Sequence, residues 1–207
     1  MRKRIQNSVK FFLAGILFSS FIACSSDDNE EPLLIGNVRD FKYVDATPFD
    51  RWVYFSFEKG DTLSIANPAT DLSWDLAFHR AQVRTNGGKS GSGQGGVIKM
   101  KDTDWNTVAE VPLDSTFVKD EEVLLTGYPT MKDKTLQAYS LIFEWVKVIP
   151  PMSPPTYQIT NNIFIVKTAK GKYAKIQIYD RNNAKNEGGY PSFKYQYNDS
   201  GSLNFIE

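Results

Sequence analysis

The chain has 207 residues, carries 24 Lys and Arg against 24 Asp and Glu, and contains one cysteine and one histidine. Within one chain, these two counts exclude disulfides, iron–sulfur clusters, zinc sites built on cysteine, and metal sites that need two histidines. No stretch beyond the N-terminus is basic enough to indicate nucleic-acid binding. The length beyond the N-terminal segment suits one domain with a sizeable core.

The N-terminus has the pattern of a secretory signal. A basic segment precedes a short apolar run over residues 11–22, and the small Ala23 stands directly before Cys24. The apolar run is shorter than a typical membrane-spanning helix. The Ala-Cys junction resembles a bacterial lipobox, which implies removal of residues 1–23 as a lipoprotein signal peptide and lipidation of Cys24. Acyl chains would then hold the protein on a membrane. A cleaved signal followed by an unmodified cysteine is the alternative.

The next segment, residues 24–36, is predicted to be a tether. Its Ser25–Pro32 stretch (SSDDNEEP) is acidic and has no bulky residue, which is typical of disorder. Acidic residues directly after a lipidated cysteine resemble the surface-export signal of Bacteroidetes lipoproteins. That resemblance implies a lipid-anchored outer-membrane protein exposed at the cell surface, and a plain solvated spacer is the alternative.

From Val38 onward the pattern predicts β-strands separated by turn signals such as Lys59-Gly60-Asp61. Four segments are rich in β-branched and aromatic residues: Trp52–Phe57, Ile163–Val166, Tyr173–Tyr179 and Phe193–Tyr197. The last two alternate with period two, which favours antiparallel sheets with one polar face. We therefore predict an all-β fold, a single antiparallel two-sheet sandwich-like domain over residues 37–207. Thr135–Val148 could pass for a helix, but its β-branched and aromatic content favours strands.

A glycine-rich segment, residues 85–96 (TNGGKSGSGQGG), contains a formal G-x-G-x-x-G at Gly91, Gly93 and Gly96. Nucleotide binding by that motif needs a helix to begin directly after it, so that backbone amides face a phosphate. Here the strand-like residues 97–100 follow. The segment therefore predicts an exposed, mobile loop between two strands.

Several runs together resemble the HmuY family of haem-binding Bacteroidetes lipoproteins. They are WVYFSFEKG from Trp52, DLSWDLAFHRAQVRTNGG from Asp71, KSGSGQGGV from Lys89, and PPTYQITNNIFIVKTAKGKYAKIQIYD over Pro154–Asp180. The resemblance implies an all-β fold with long ligand-binding loops, haem capture at the cell surface, and delivery to a TonB-dependent outer-membrane receptor. Host haemoproteins are candidate sources of the haem.

Members of the family hold the haem iron through two axial side chains on two loops, histidines in some and methionines in others. Here the corresponding loops, residues 126–133 and 149–157, contain no histidine but hold Met131 and Met152. Met152 lies among four prolines, which excludes a helix or a regular central strand around it. Thioether sulfur is a soft ligand for haem iron. With the resemblance, these two methionines are the predicted iron ligands, whereas Met100 alternates with its neighbours and is predicted to fill the core.

Aromatic and basic residues near the two loops are candidates for contacts to the macrocycle. Tyr128, Tyr139 and Tyr157 are predicted to form apolar walls, whereas Phe143 and Trp145 fit an ordinary core better. Lys132 and Lys134 are candidates to bind the haem propionates, and the alternative is that both are simply solvated.

The unique His79 follows a strand-like alternation away from the two ligand loops, which predicts a structural histidine rather than a metal ligand. Its neighbours Trp74, Asp75 and Arg80 are likewise predicted to serve folding.

The sequence therefore predicts a non-enzymatic haem-binding surface lipoprotein, with haem as its bound cofactor and a membrane contact only through the lipid. The alternative is a surface lipoprotein of the same fold that binds a glycan, another porphyrin or a host protein, and the missing histidines keep this alternative open. A secreted hydrolase is a third class, but no carboxylate spacing or G-x-S-x-G element supports it.

Overall fold

The computed structural model describes residues 36–101, 103–126, 134–149 and 156–206, with only the backbone for 123–126 and 134–138. Residues 32–207 cluster as one compact unit. Nearly all regular structure in the described residues is antiparallel strand, which confirms the predicted all-β class. Among these residues, no helix has the length and apolar character needed to cross a membrane.

The larger sheet has five strands in the order β1-β13-β12-β11-β6. Its strands are β1 (Val38–Phe41), β6 (Gly96–Lys99), β11 (Ile163–Lys167), β12 (Tyr173–Asn182) and β13 (Gly188–Asn198). The second sheet has four strands in the order β3-β2-β4-β5. They are β2 (Val53–Ser56), β3 (Asp61–Leu63), β4 (Leu76–His79) and β5 (Gln82–Thr85). The four strand segments predicted from the sequence are therefore confirmed, with boundaries shifted by a few residues.

The main core lies between the two sheets. Phe55 and Phe78 of the second sheet and Phe164 and Phe193 of the first are fully buried in one cluster. The rings of Phe78 and Phe193 stack at 5.6 Å, so the two inner faces are in direct contact. Burial of this many large apolar side chains is the dominant favourable contribution to folding.

The predicted polar outer face is wrong for the five-stranded sheet. β11 is buried on both faces, because a second cluster around Ile163, Ile165 and Phe205 covers its outer side. A short 3₁₀ helix, Trp105–Thr107, contributes Trp105 to this cover. Buried Lys175 belongs to the same face and donates from Nζ to the Val108 carbonyl at 2.7 Å. C-terminal and inter-strand segments thus add a layer that strand periodicity does not indicate.

The glycine-rich segment does join two strands, β5 and β6, and a strand rather than a helix follows it. Its ends, residues 85–87 and 95–96, are buried, so the prediction of an exposed loop is wrong for them. Asn86 is fully buried, and its Nδ2 donates to the carbonyls of Asp71 and Trp74 at 2.8 and 2.9 Å. Its Oδ1 accepts from Gly93 N at 3.2 Å. The two ends of the segment are thus packed into the fold, and the Asn86 side chain contributes three of the hydrogen bonds that hold them.

Candidate functional site

Two β-hairpins stand apart from the two large sheets. Hairpin A pairs β7 (Glu121–Thr126) with β8 (Lys134–Tyr139), and hairpin B pairs β9 (Val146–Ile149) with β10 (Thr156–Ile159). The connection of hairpin A is residues 127–133, and that of hairpin B is residues 150–155. The two loops singled out from the sequence therefore connect the paired strands of two consecutive hairpins.

The open ends of both hairpins meet at one short 3₁₀ helix, Leu141–Trp145, called the linker helix below. It starts two residues after β8 ends and runs directly into β9. Ile142 and Trp145 are fully buried in the main core, and Trp145 Nε1 donates to the Ala81 carbonyl at 2.8 Å. The strand content of Thr135–Val148 was predicted correctly, but this helix within it was not. It fixes the open ends of the two hairpins to the same part of the core.

A second set of hydrogen bonds ties the end of hairpin B back to the linker helix. Thr160 donates from its backbone N to the Trp145 carbonyl at 3.0 Å and from Oγ1 to the Glu144 carbonyl at 2.9 Å. Asn162 Nδ2 donates to the same Glu144 carbonyl at 3.0 Å. Lys99 forms an ion pair with the Glu144 carboxylate at the surface. The base of hairpin B is thus held by hydrogen bonds from Thr160 and Asn162 and by the ion pair of Glu144 with Lys99.

The base of hairpin A is held by Asp120, the residue just before β7. Its buried carboxylate accepts from Thr85 N at 2.9 Å and from Thr85 Oγ1 at 2.8 Å. Its carbonyl accepts from Lys89 N at 2.9 Å. Burial raises the pKa of Asp120, although the hydrogen bonds it accepts oppose that shift. The glycine-rich segment that begins at Thr85 therefore anchors hairpin A, a role that sequence reasoning missed.

The structure places Tyr139 and Tyr157 at different points of the two hairpins. Tyr139 ends β8 next to the linker helix and packs edge-on against Phe143 at 6.0 Å. Tyr157 is the second residue after the connection of hairpin B, and the Arg181 guanidinium lies 4.1 Å above its ring. Burial raises the pKa of Tyr139, and the negative charge of Glu144 adds to the effect. Both rings are half-buried.

Other predicted site residues lie outside the described residues: Cys24, Tyr128, Met131, Lys132 and Met152. Lys134 opens β8, and only its backbone is described.

The HmuY protein family model matches residues 49–195, a range that includes both hairpins and their connections. This chain belongs to the HmuY family. The family predicted from the sequence is thereby confirmed. A search of curated proteins gives no match.

Several solved structures are similar to this chain. A Bacteroides vulgatus protein described as HmuY-like and haem-binding is 23% identical with a TM-score of 0.60, over 81% of this chain and 98% of its own. The apo HmuY analogue of Tannerella forsythia is 23% identical with a TM-score of 0.58, over 82% and 99%. A Bacteroides fragilis protein described as a lipoprotein is 21% identical with a TM-score of 0.60, over 80% and 96%. At these identities the likeness shows the fold.

In this HmuY-family chain, His79 is built into the second sheet. It is buried, its ring lies 5.1 Å from the Trp52 ring, and Nε2 lies 3.1 Å from the Phe49 carbonyl. A carbonyl can only accept, so this nitrogen carries the hydrogen. Burial lowers the pKa of His79, which favours the neutral ring. This environment agrees with the predicted structural role.

The folding roles predicted for Trp74 and Asp75 also agree with the structure. Trp74 is buried and donates from Nε1 to the Pro68 carbonyl at 2.9 Å. Asp75 accepts from Phe57 N at 2.9 Å and from Ala169 N at 3.1 Å, joining two chain segments far apart in sequence. Met100 is half-buried against the second core cluster, as predicted for a packing residue.

A cleft of about 390 Å³ lies between the linker helix and hairpin B. Its lining is mostly polar and comprises Lys99, Glu144, Val146, Lys147, Gln158, Ile159, Thr160 and Asn162. Binding sites for flat apolar ligands are lined mainly by hydrophobic and aromatic side chains. This cleft therefore does not supply the apolar walls that a macrocycle needs.

Proposed function

We propose that this chain is a haem-binding surface lipoprotein that captures haem and passes it to a TonB-dependent outer-membrane receptor. Membership of the HmuY family, a family of binding proteins rather than enzymes, supports the ligand. The observation that carries the proposal is the pair of hairpins whose open ends meet at the linker helix. Two hairpins fixed to one base can hold a flat ligand between them with little loss of conformational entropy.

The proposed iron ligands are the thioethers of Met131 and Met152, one in each hairpin connection. Apart from the two connections, the only methionine beyond the N-terminal signal is Met100, which packs against the second core cluster. The only histidine, His79, has one ring nitrogen engaged with a backbone carbonyl. Haem iron would supply two axial positions for soft ligands, and neutral thioethers there favour the ferrous state.

Side chains at the hairpins suit an amphipathic macrocycle. Tyr139 and Tyr157 are half-buried aromatic rings with polar tips, and rings of this kind suit the wall of a ligand pocket. Tyr128 and Lys132 complete the proposed contact set from the connection of hairpin A. The role of all four as ligand contacts is part of the proposal.

Substitution of both ligands tests the assignment. Haemin added to the unit from residue 33 onward is expected to give a sharp low-spin Soret band after reduction with dithionite. Met131→Ala with Met152→Ala should remove this signature, because no soft donor remains at the two hairpin turns. Met100→Leu is the matched control and should keep it, since Met100 only fills space.

Two results would contradict parts of this proposal separately. A double variant that titrates like the parent shows that other residues hold the iron, even though haem binds. A parent protein that leaves the haemin spectrum unchanged removes the haem proposal, and the alternative ligands become the leading hypothesis.

The proposed anchor has its own test. In cells that make the full chain, Cys24→Ala should move the protein from the membrane fraction to the soluble fraction, because the thiol is the site of acylation. Ser25→Ala is the neighbouring control and should stay with the membranes. A Cys24→Ala protein that remains membrane-bound contradicts lipid anchoring, and resistance of the parent to protease on intact cells contradicts surface exposure.

A further inference from the structure

Two arginines lie over adjacent glycines at the start of β13. A Cβ added at Gly188 would lie 2.6 Å from Arg181 Nη2, and one added at Gly189 would lie 3.5 Å from Arg80 Nη1. Gly188 therefore leaves the space that the Arg181 guanidinium occupies, and the Arg80 guanidinium lies within van der Waals reach of Gly189. Arg181 comes from β12 and Arg80 from the turn between β4 and β5, so the tertiary fold alone brings them together.

Neither guanidinium has a carboxylate partner within the described parts of the chain. The ion pairs found there join Lys99 with Glu144 and Lys170 with Glu58. Arg80 Nη1 donates to the Thr47 carbonyl at 3.1 Å, and Arg181 Nη1 makes a long contact of 3.4 Å to Asn182 Oδ1.

The nearest acid along β12 makes no ion pair with either arginine. Asp180 Oδ1 accepts from the backbone amides of Arg181 and Asn182 at 2.7 and 3.0 Å. Burial lowers the pKa of Arg181, and the positive charge of Arg80 adds to that effect, against the opposing charge of Asp180. Two neighbouring positive charges without an ion pair favour the binding of an anion.

The position of Arg181 connects this pair to hairpin B. Its guanidinium stacks on the Tyr157 ring at 4.1 Å, and Tyr157 lies one residue inside β10 from the connection that carries Met152. Stacking on the ring holds the planar group in one orientation while its edge N–H donors stay available.

We propose that Arg181 and Arg80 form an anion site that binds the propionate carboxylates of the haem, with Arg181 as the principal contact. The inference rests on the proposed function and deepens it. Guanidinium groups bind carboxylates through two parallel charge-assisted hydrogen bonds. The contact orients the macrocycle with its carboxylate edge toward β12 and β13. It assigns the propionates to residues that the sequence did not indicate as ligand contacts, in addition to the proposed contact from Lys132.

Haemin and its dimethyl ester, in which both carboxylates are blocked, test the site. The parent should bind haemin more tightly than the ester. Arg181→Gln should weaken haemin binding about tenfold, the scale of a lost charge-assisted contact, and change ester binding less than twofold. Arg181→Lys should recover part of the haemin affinity. The low-spin spectrum of bound haemin should stay the same in all variants, because the axial ligands are unchanged.

Lys185→Gln is the matched control, since it removes an exposed positive charge from the same β12–β13 connection. It should bind both compounds like the parent. Equal binding of haemin and ester by the parent, or equal weakening of both by Arg181→Gln, would overturn the anion site while leaving the haem proposal intact. A parent that binds neither compound overturns the proposed function and this inference with it.

Discussion

Trp145→Ala is expected to lower the free energy of unfolding by about 4 kcal/mol, as is typical for truncation of a large buried aromatic residue. Trp145 is fully buried in the main core, and its indole N–H bonds the Ala81 carbonyl at 2.8 Å. Its removal leaves a cavity and an unpaired, partly buried carbonyl. A loss of that size is a large fraction of the stability of a single domain. The melting temperature should fall on the order of 10 °C.

Urea unfolding followed by tryptophan fluorescence and circular dichroism measures this change. Trp52→Ala is the control, because Trp52 is only half-buried and lies outside the main core cluster, so its truncation should cost clearly less. Because the linker helix holds both hairpins, Trp145→Ala should also weaken haem binding where Trp52→Ala does not. Near-parental stability of Trp145→Ala would show that the linker helix is not fixed to the core by this residue.

Asp75→Asn is expected to change the pH dependence of stability. Burial raises the pKa of Asp75 from 3.8 to about 6, against the hydrogen bonds from Phe57 and Ala169 that lower it. The folded state then holds a proton that the unfolded state has released, so between about pH 4 and pH 6 this group makes the protein less stable as the pH rises. The full effect is roughly 3 kcal/mol as an upper limit. The side-chain amide introduced by the substitution does not titrate, so this slope should disappear.

The measurement is the difference in unfolding free energy between parent and variant at pH 4.5 and pH 7.5, in which the titration of other groups cancels. The parent's advantage over Asp75→Asn should shrink as the pH rises. Asp71→Asn is a control for which this difference should stay nearly constant over the same range. Hydrogen bonds from Ser73 lower the pKa of Asp71, so the contribution of that carboxylate is lost only as the pH falls below about 4. A pH-independent difference for Asp75→Asn contradicts the raised pKa.

The strand content of this chain could be predicted from local pattern. Ile163–Val166 and Phe193–Tyr197 are rich in β-branched and aromatic residues, and both are strands. The pattern did not indicate that β11 is buried on both faces, because the cover comes from segments around Trp105 and Phe205 that are distant in sequence. The 3₁₀ helix at Leu141–Trp145 was missed for a similar reason. Its residues have strand propensity, and burial of Ile142 and Trp145 overrides it.

The candidate site, like the fold, could be predicted from the sequence only in part. The family resemblance indicated the two loops, and composition left methionine as the soft donor predicted in them, since the chain has one histidine and one cysteine. The residues that hold those loops could not be found so directly. Thr85 and Asp120 meet across 35 positions, and the glycines around Thr85 indicated a flexible loop rather than an anchor. A buried residue that accepts several hydrogen bonds, such as Asp120, leaves no periodic pattern in a sequence.

The sequence by itself determined the β class and the family and predicted the candidate donors, because these depend on residue type and on short-range spacing. Only the tertiary structure decided that the strands flanking the two loops form hairpins on a common base, and that Arg80 and Arg181 lie over adjacent glycines without a carboxylate partner among the described residues. The reason is that burial and like-charge proximity arise from contacts between residues far apart along the chain. Local pattern carries no information about which of those contacts form.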